Sequence, residues 1–158
     1  MKTLFFIRHA QAKYNSPSGK DIDREIDPTG YVKAQLLANE LKRNNFDIQR
    51  IISSPAKRAL QTAKILKEGL SISHEISLEK SLYFGNRDDY LKLLYALPDE
   101  LNSVMIVGHN PTISDVVWEF NREIFMMKTS QMHMFQIDTD LWTDINISKT
   151  VSHFSFLQ

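Results

Sequence analysis

Leu4-Phe5-Phe6-Ile7-Arg8-His9-Ala10-Gln11-Ala12 opens the chain with four apolar residues that stop at an arginine and a histidine. A short, apolar, β-prone run reads as a buried strand, so Thr3–Ile7 is predicted as one. Its ending is the informative part. A lone Arg-His after a strand is ordinarily a solvated strand end. The reading of Arg8 and His9 therefore depends on what else the chain brings to the same place.

Two later strands end in the same manner. Ile51-Ile52 runs into Ser53-Ser54-Pro55, with Arg58 one turn into the next helix, and Val104–Val107 runs into Gly108-His109-Asn110-Pro111. Between the first two, residues 13–25 are polar, with Asn15, Ser16, Pro17, Ser18 and Gly19 clustered, and read as a loop. Asp27-Pro28 has the form of a helix start, a carboxylate cap before a proline at the first helical position. Ala34, Leu37, Ala38 and Leu41 follow at helical spacing until Asn44-Asn45. Ser54-Pro55 repeats the cap-and-proline pattern before Ala59, Leu60, Ala63 and Leu66, with Gly69 suited to the C-terminal cap.

Ile76–Leu78 reads as a short strand, and Tyr90, Leu91, Leu94 and Tyr95 mark a helix stopped by Pro98. Asn110-Pro111 caps a further helix with Ile113, Val116, Val117 and Phe120 on one face. Met132–Asp138 and Ile145–Phe156 are β-prone around a polar turn, which predicts a terminal antiparallel pair. Strands alternating with helices imply an α/β fold: three layers, α/β/α, with helices on both faces of a mostly parallel central sheet and a C-terminal antiparallel hairpin. No repeat, linker or low-complexity segment interrupts residues 1–158, which are expected to form a single domain.

Composition narrows the function. The 158 residues are 42% apolar and contain no cysteine, which excludes a disulfide framework, thiolate zinc sites and a cysteine nucleophile. Nineteen basic and nineteen acidic residues balance to zero net charge, unlike a nucleic-acid binder. No segment approaches the roughly 20 apolar residues of a membrane span, and the first apolar run is too short for a signal-peptide core. A cytoplasmic protein with no nucleic-acid or membrane partner is expected. None of the five histidines are spaced i, i+4 on a helix, so no metal site is predicted. His74, His133 and His153 carry no motif, and His133 reads as structural or surface. Met126, Met127, Met132 and Met134 read as core filler.

In an open α/β sheet, ligands sit at the carboxyl ends of the strands. Parallel strands would bring the three polar tips to one edge, where two arginines and two histidines converge. Arginine offers a rigid fork matched to phosphate oxygens. A neutral imidazole can attack phosphorus and carry the phosphoryl group. A second imidazole, protonated, can stabilise charge on the equatorial oxygens. The helix after Asn110-Pro111 adds an N-terminus that favours an anion. The pattern points to phosphoryl transfer through a phosphohistidine, without metal or other cofactor.

These motifs, in this order, resemble the histidine phosphatase superfamily, the phosphoglycerate mutase-like fold, from about Thr3 to Phe120. The family's strand followed by Arg-His-Gly is similar to Arg8-His9-Ala10 here. Its Leu-Thr-x-x-Gly segment resembles Ile26-Asp27-Pro28-Thr29-Gly30. Its Ser-Ser-Pro-x-x-Arg-Ala-x-x-Thr-Ala segment is present in full from Ser53 to Ala63, and its Gly-His-Asn segment as Gly108-His109-Asn110. The resemblance implies that His9 is the phosphorylated nucleophile and that Arg8, Arg58 and His109 form the phosphate pocket. It also implies a substrate contact for Asn15, which follows the nucleophile by six positions, as a phosphate-binding asparagine does in some branches.

The short chain, with no large insertion before the last motif, looks most like the SixA-type phosphohistidine phosphatases. That likeness implies hydrolysis of phosphohistidine on a protein, such as a histidine-phosphotransfer domain. The alternatives are a phosphatase of small phosphate esters and a non-catalytic phosphate-binding module. A binder, however, has no need of a nucleophile. Two departures from the family stand out. Ala10 replaces a glycine, and no pattern selects a general acid from Glu75, Glu79, Asp88 and Asp89. An alkoxide leaving group needs such an acid, whereas an imidazole leaves readily without one.

Overall fold

Leu4 and Phe6 point to one side of the first strand and Phe5 and Ile7 to the other, and all four are fully buried. A strand buried on both faces belongs in the middle of a covered sheet. The computed structural model, which describes residues 1–157, places it there. Strand β1 (Lys2–Arg8) lies between β4 (Ser103–Gly108) and β5 (Met132–Ile137). Strands β2 (Arg50–Ser53) and β3 (Ile76–Leu78) extend the sheet beyond β4, and β6 (Thr150–Phe156) closes the opposite edge against β5. The order is β3-β2-β4-β1-β5-β6, with the first four strands in sequence parallel and the C-terminal pair antiparallel. This is the predicted α/β architecture.

Helices α1 (Pro28–Arg43) and α2 (Lys57–Gly69) cover the face of Phe5, Ile7, Ile51 and Met105. The short α3 (Ser81–Phe84), then α4 (Arg87–Tyr95) and α5 (Thr112–Asn121), supply the opposite layer over Leu4, Phe6, Ile52 and Ile106. Asp27 caps α1 as its sequence predicts, accepting the Gly30 N–H at 2.7 Å. The one-turn α3 is not predicted, because a single turn carries no periodicity.

Three expected helix ends differ. Pro55 lies outside α2, whose N-cap is Ala56, because the Ser54 side chain is committed to the sheet edge. Pro111 occupies the N-cap of α5, while Asn110 accepts from the Ser114 hydroxyl and donates to the Met127 carbonyl. Gly69 is the last helical residue rather than a cap. A Cβ there would lie 2.6 Å from that of Ala38, so the glycine serves the close approach of α1 and α2. The last strand also starts later than predicted, at Thr150. Trp142 is fully buried and donates to the carbonyls of Pro98 and Leu101, which draws residues 142–149 away from the sheet. Among the described residues, no helix is long and apolar enough to cross a membrane.

Candidate active site

Strands β2, β4 and β1 are neighbours, so their carboxyl ends stand side by side. The ladder runs one residue beyond each strand. His9 N–H donates to the Gly108 carbonyl at 3.0 Å, and Ser54 N–H to the Val107 carbonyl at 3.0 Å. His9 and Ser54 are thereby held by sheet hydrogen bonds, and the His109 carbonyl accepts the Ile113 N–H at 2.9 Å where α5 begins.

His9 is only 9% exposed. Its Nδ1 lies 2.8 Å from the Ala10 carbonyl oxygen. A carbonyl only accepts, so Nδ1 carries the ring proton and Nε2 presents its lone pair. The Nε–H of Arg58 faces that lone pair at 3.4 Å. Burial lowers the His9 pKa to about 4, opposed by the Ala10 hydrogen bond and assisted by the charges of Arg58, Arg8 and Arg24. Near neutral pH the ring is an uncharged base.

The residue after His9 is fixed from two sides. Ala10 N–H donates to Thr62 Oγ1 at 2.9 Å, and the same hydroxyl donates to the Arg58 carbonyl at 2.7 Å. Ala10 is fully buried and is not among the residues of positive φ, so this backbone accepts a methyl where the family pattern has glycine. One residue on, the Asp27 N–H donates to the Gln11 carbonyl at 2.9 Å. A Cβ on Gly30 would sit 2.2 Å from that carbonyl oxygen, so only glycine lets the start of α1 press against the segment leaving His9.

His109 packs beside His9, with ring centroids 4.9 Å apart and planes at 52°. Its Nε2 is 2.7 Å from Ser54 Oγ. That hydroxyl also accepts the Ala56 N–H at 3.2 Å, and it meets the ring with either its own hydrogen or its second lone pair. The opposite ring nitrogen, Nδ1, is buried and has no partner in the protein. Burial first, then the proximity of His9 and Arg58, lowers its pKa to about 3. Burial and the neighbouring arginines thus disfavour the charged second imidazole that the sequence reading invokes. Gly108 precedes it because a Cβ there would lie 2.3 Å from the Tyr90 hydroxyl, which donates to the Leu82 carbonyl beneath the site.

Arg8 donates Nη1 to the Met127 carbonyl at 2.8 Å, while its Nε is buried without a partner. Arg8 Nε and His109 Nδ1 are thus buried polar atoms of this group with no protein partner. Buried polar atoms are seldom left unpaired, so their pairing around a nucleophile fits an anion. Arg58 is 6% exposed and grips residue 21, with Nη1 on the Asp21 carbonyl at 2.8 Å and Nη2 on its carboxylate at 2.9 Å. The Asp21 carboxylate also accepts from the Tyr83 hydroxyl at 2.8 Å and from Arg24 at 3.0 Å.

The structure therefore brings Arg8, His9, Arg58 and His109 together. Asn15 is exposed and makes no hydrogen bond to the four, and it lines a surface depression with Tyr14, Ser16, Lys20, Asp21 and Arg24. Of the four candidate acids, only Glu79 adjoins this sheet edge, its N–H donating to the Ser53 carbonyl at 3.0 Å, and each has other partners or faces solvent. The Glu75 side chain is 97% exposed, Glu79 caps α3 by accepting from Ser81, Asp88 pairs with Arg87, and Asp89 closes the capping box with Asn86. His74 reaches the Ile48 carbonyl, and His133 is buried and stacked on His153, 2.8 Å between their ring nitrogens. Sequence reasoning missed Asp21, Arg24, Tyr83 and the role of Ser54. The loop and the one-turn helix that carry the first three show no periodic signal.

Residues 4–82, half of the chain, match the model of the histidine phosphatase superfamily (branch 1). The chain is 29% identical over 118 residues to phosphohistidine phosphatase SixA of Escherichia coli, covering 73% of this chain and 72% of that one. It is 36% identical over 75 residues to phosphoserine phosphatase 1 of Hydrogenobacter thermophilus, covering 46% of this chain but only 34% of that protein. A solved structure of the protein histidine phosphatase SixA complexed with tungstate superposes with a TM-score of 0.80 at 25% identity, over 97% of this chain and 96% of that one. With the fold, the three motif-bearing strand ends and the family model in agreement, the chain belongs to the histidine phosphatase superfamily.

Proposed function

We propose that the protein hydrolyses phosphohistidine on a protein substrate through a phosphorylated His9, with charge stabilisation from side chains and no metal. The observation that carries this reading is the tautomer of His9. The Ala10 carbonyl holds the proton on Nδ1, which aims the lone pair of Nε2 at the arginine-lined pocket. In the first step Nε2 bonds to phosphorus as the substrate's phosphorus–nitrogen bond breaks, and the departing imidazole nitrogen takes a proton from solvent. In the second, water adds to the phosphorus of phospho-His9, releases inorganic phosphate and regenerates the neutral ring. Arg8, Arg58 and His109 bind the phosphoryl oxygens through both steps.

The carboxylates support the choice of leaving group. Glu79 and Asp89 are occupied as helix caps and Glu75 and Asp88 are surface groups. Partial burial would raise Asp21, but hydrogen bonds from Tyr83, Arg24 and Arg58 outweigh it and bring its pKa to about 2. An acid that is fully ionised near neutral pH has no proton to give an alkoxide. A departing imidazole needs none from the enzyme.

A second reading, hydrolysis of small phosphate esters, is favoured by the likeness to a protein named phosphoserine phosphatase. The two are separated by comparing kcat/KM for a phosphohistidine-bearing phosphotransfer protein with that for phosphoserine and an alkyl phosphate. A higher value on the phosphoprotein supports the first reading. Equal or better turnover of the alkyl ester supports the second.

A further inference from the structure

Arg58 uses its two guanidinium edges differently. The terminal edge, Nη1 and Nη2, holds the carbonyl and carboxylate of Asp21 at 2.8 and 2.9 Å. The side edge turns to His9, with Nε 3.4 Å from Nε2. Five N–H groups in a rigid plane allow this division, since Nη2 keeps a second hydrogen on the side edge. Gripping one edge fixes the direction of the other.

Asp21 is itself anchored. It belongs to a single 3₁₀ turn, Asp21–Asp23, in a polar loop, and its side chain is about half exposed. Such a carboxylate would be mobile without partners. Instead, Tyr83 from α3 and Arg24 from the same loop join Arg58 on it, at 2.8 and 3.0 Å. Arg24 is held in turn by the Lys13 carbonyl at 2.8 Å. The Tyr83 ring also meets His109 edge to face, with centroids 5.5 Å apart at 68°. One tyrosine thereby touches both the arginine's anchor and the second histidine.

We propose that Asp21, seated by Tyr83 and Arg24, is a positioning residue for phosphoryl transfer, acting through Arg58 by clamping its terminal edge so that its side edge faces the phosphoryl group on Nε2 of His9. This rests on reading the site as a phosphoryl-transfer centre. Asp21 needs no contact with substrate in this role. A long, flexible arginine that is already aimed loses less rotamer freedom when the anion arrives.

The test is a double-mutant cycle with Asp21→Asn and Arg58→Ala, read on p-nitrophenyl phosphate turnover and on orthovanadate binding by calorimetry. Asp21→Asn keeps the shape and one acceptor oxygen but releases the charge that holds both arginines. In the native background it is expected to lower kcat about tenfold or more, with a smaller change in KM, and to weaken vanadate binding. In the Arg58→Ala background the same substitution should change either readout by less than about twofold, since it has no arginine left to aim. Tyr83→Phe should give a milder loss with the same dependence on Arg58, and it serves if Asp21→Asn fails to fold. Asp21→Glu should recover part of the lost kcat. Equal losses in both backgrounds, or no loss in the native one, overturn the clamp. If the native protein turns over no phosphate compound while vanadate binding still shows the dependence on Arg58, the clamp stands and the catalytic reading of the site falls.

Discussion

Nε of Arg58 stands 3.4 Å from Nε2 of His9, while the Ala10 carbonyl holds the opposite ring nitrogen at 2.8 Å. The ring of His9, the proposed nucleophile, is thus oriented from both ends before any substrate arrives. An arginine next to a neutral imidazole keeps it neutral, and in the proposed mechanism the same arginine attracts the phosphoryl group that the imidazole attacks. Preorganisation of this kind lowers a barrier because nothing has to be rearranged when charge develops.

The first prediction follows from the donors around that ring. Arg58→Ala and His109→Ala are each expected to lower turnover by about two to three orders of magnitude, or about 3–4 kcal/mol in the barrier. Each should cost much less in thermal stability, because both residues lie at strand tips or a helix start rather than in the two apolar clusters. Chelators should leave activity unchanged. Activity that vanishes with a chelator and returns with a divalent ion contradicts a site whose charges are all side chains.

The surface carboxylates supply a second prediction. Glu75→Gln, Glu79→Gln, Asp88→Asn and Asp89→Asn should each lower phosphohistidine hydrolysis by less than about tenfold, roughly 1.4 kcal/mol. Asp89→Ala should instead show its effect in stability, losing about 1 kcal/mol with the capping box of α4. Unactivated alkyl phosphates should turn over slowly, and aryl phosphates faster. An essential role for one of the four carboxylates, together with fast alkyl phosphate hydrolysis, would identify a general acid and favour the ester phosphatase.

Buried histidines make stability depend on pH. Burial lowers His9, His109 and His133 to about 4, 3 and 4, against an ordinary value of 6.5. The unfolded chain therefore binds more protons below pH 6.5 than the folded one. Stability is complete above that pH and falls as pH drops toward 4, by up to about 1.4 kcal/mol per pH unit for each histidine. Asp21, depressed to about 2, adds to the loss only below its ordinary value of 3.8. Urea midpoints measured from pH 8 to pH 4 should decline across this window. His133→Gln, outside the catalytic group, should flatten the decline, and an unchanged slope in that variant would show that burial of His133 does not contribute.

Gly30 gives a prediction about the backbone. Replacing a helical glycine by alanine ordinarily stabilises by about 0.4–1 kcal/mol. Here the new Cβ would lie 2.2 Å from the Gln11 carbonyl, and backbone must move. Gly30→Ala is expected to lower the melting temperature and to reduce turnover as well, since Gln11 is two residues from His9. A stabilised, fully active variant would show that the contact relaxes without cost.

Much of this was legible in the sequence, for a physical reason. Strand ends and helix starts announce themselves through apolar runs, caps and prolines, so Arg8, His9, Arg58 and His109 could be placed at one sheet edge before any coordinates. Asp21 and Tyr83 could not. Asp21 meets Arg58 across 37 positions and Tyr83 across 62, and no local pattern in the sequence links them. Ser54 was misread because a serine before a proline has the form of a helix cap. Its hydroxyl is instead drawn to His109, one strand over. The burial that disfavours a charged His109 is likewise visible only in the folded chain.

The covalent step is the most direct point of attack. The protein should be mixed with a phosphohistidine-bearing phosphotransfer protein, quenched within milliseconds without acid, digested at alkaline pH and mapped by mass spectrometry. Phosphate on His9, absent in a folded His9→Ala variant that has also lost turnover, is the predicted result. Phosphate on any other histidine, or turnover that survives in His9→Ala, would contradict it.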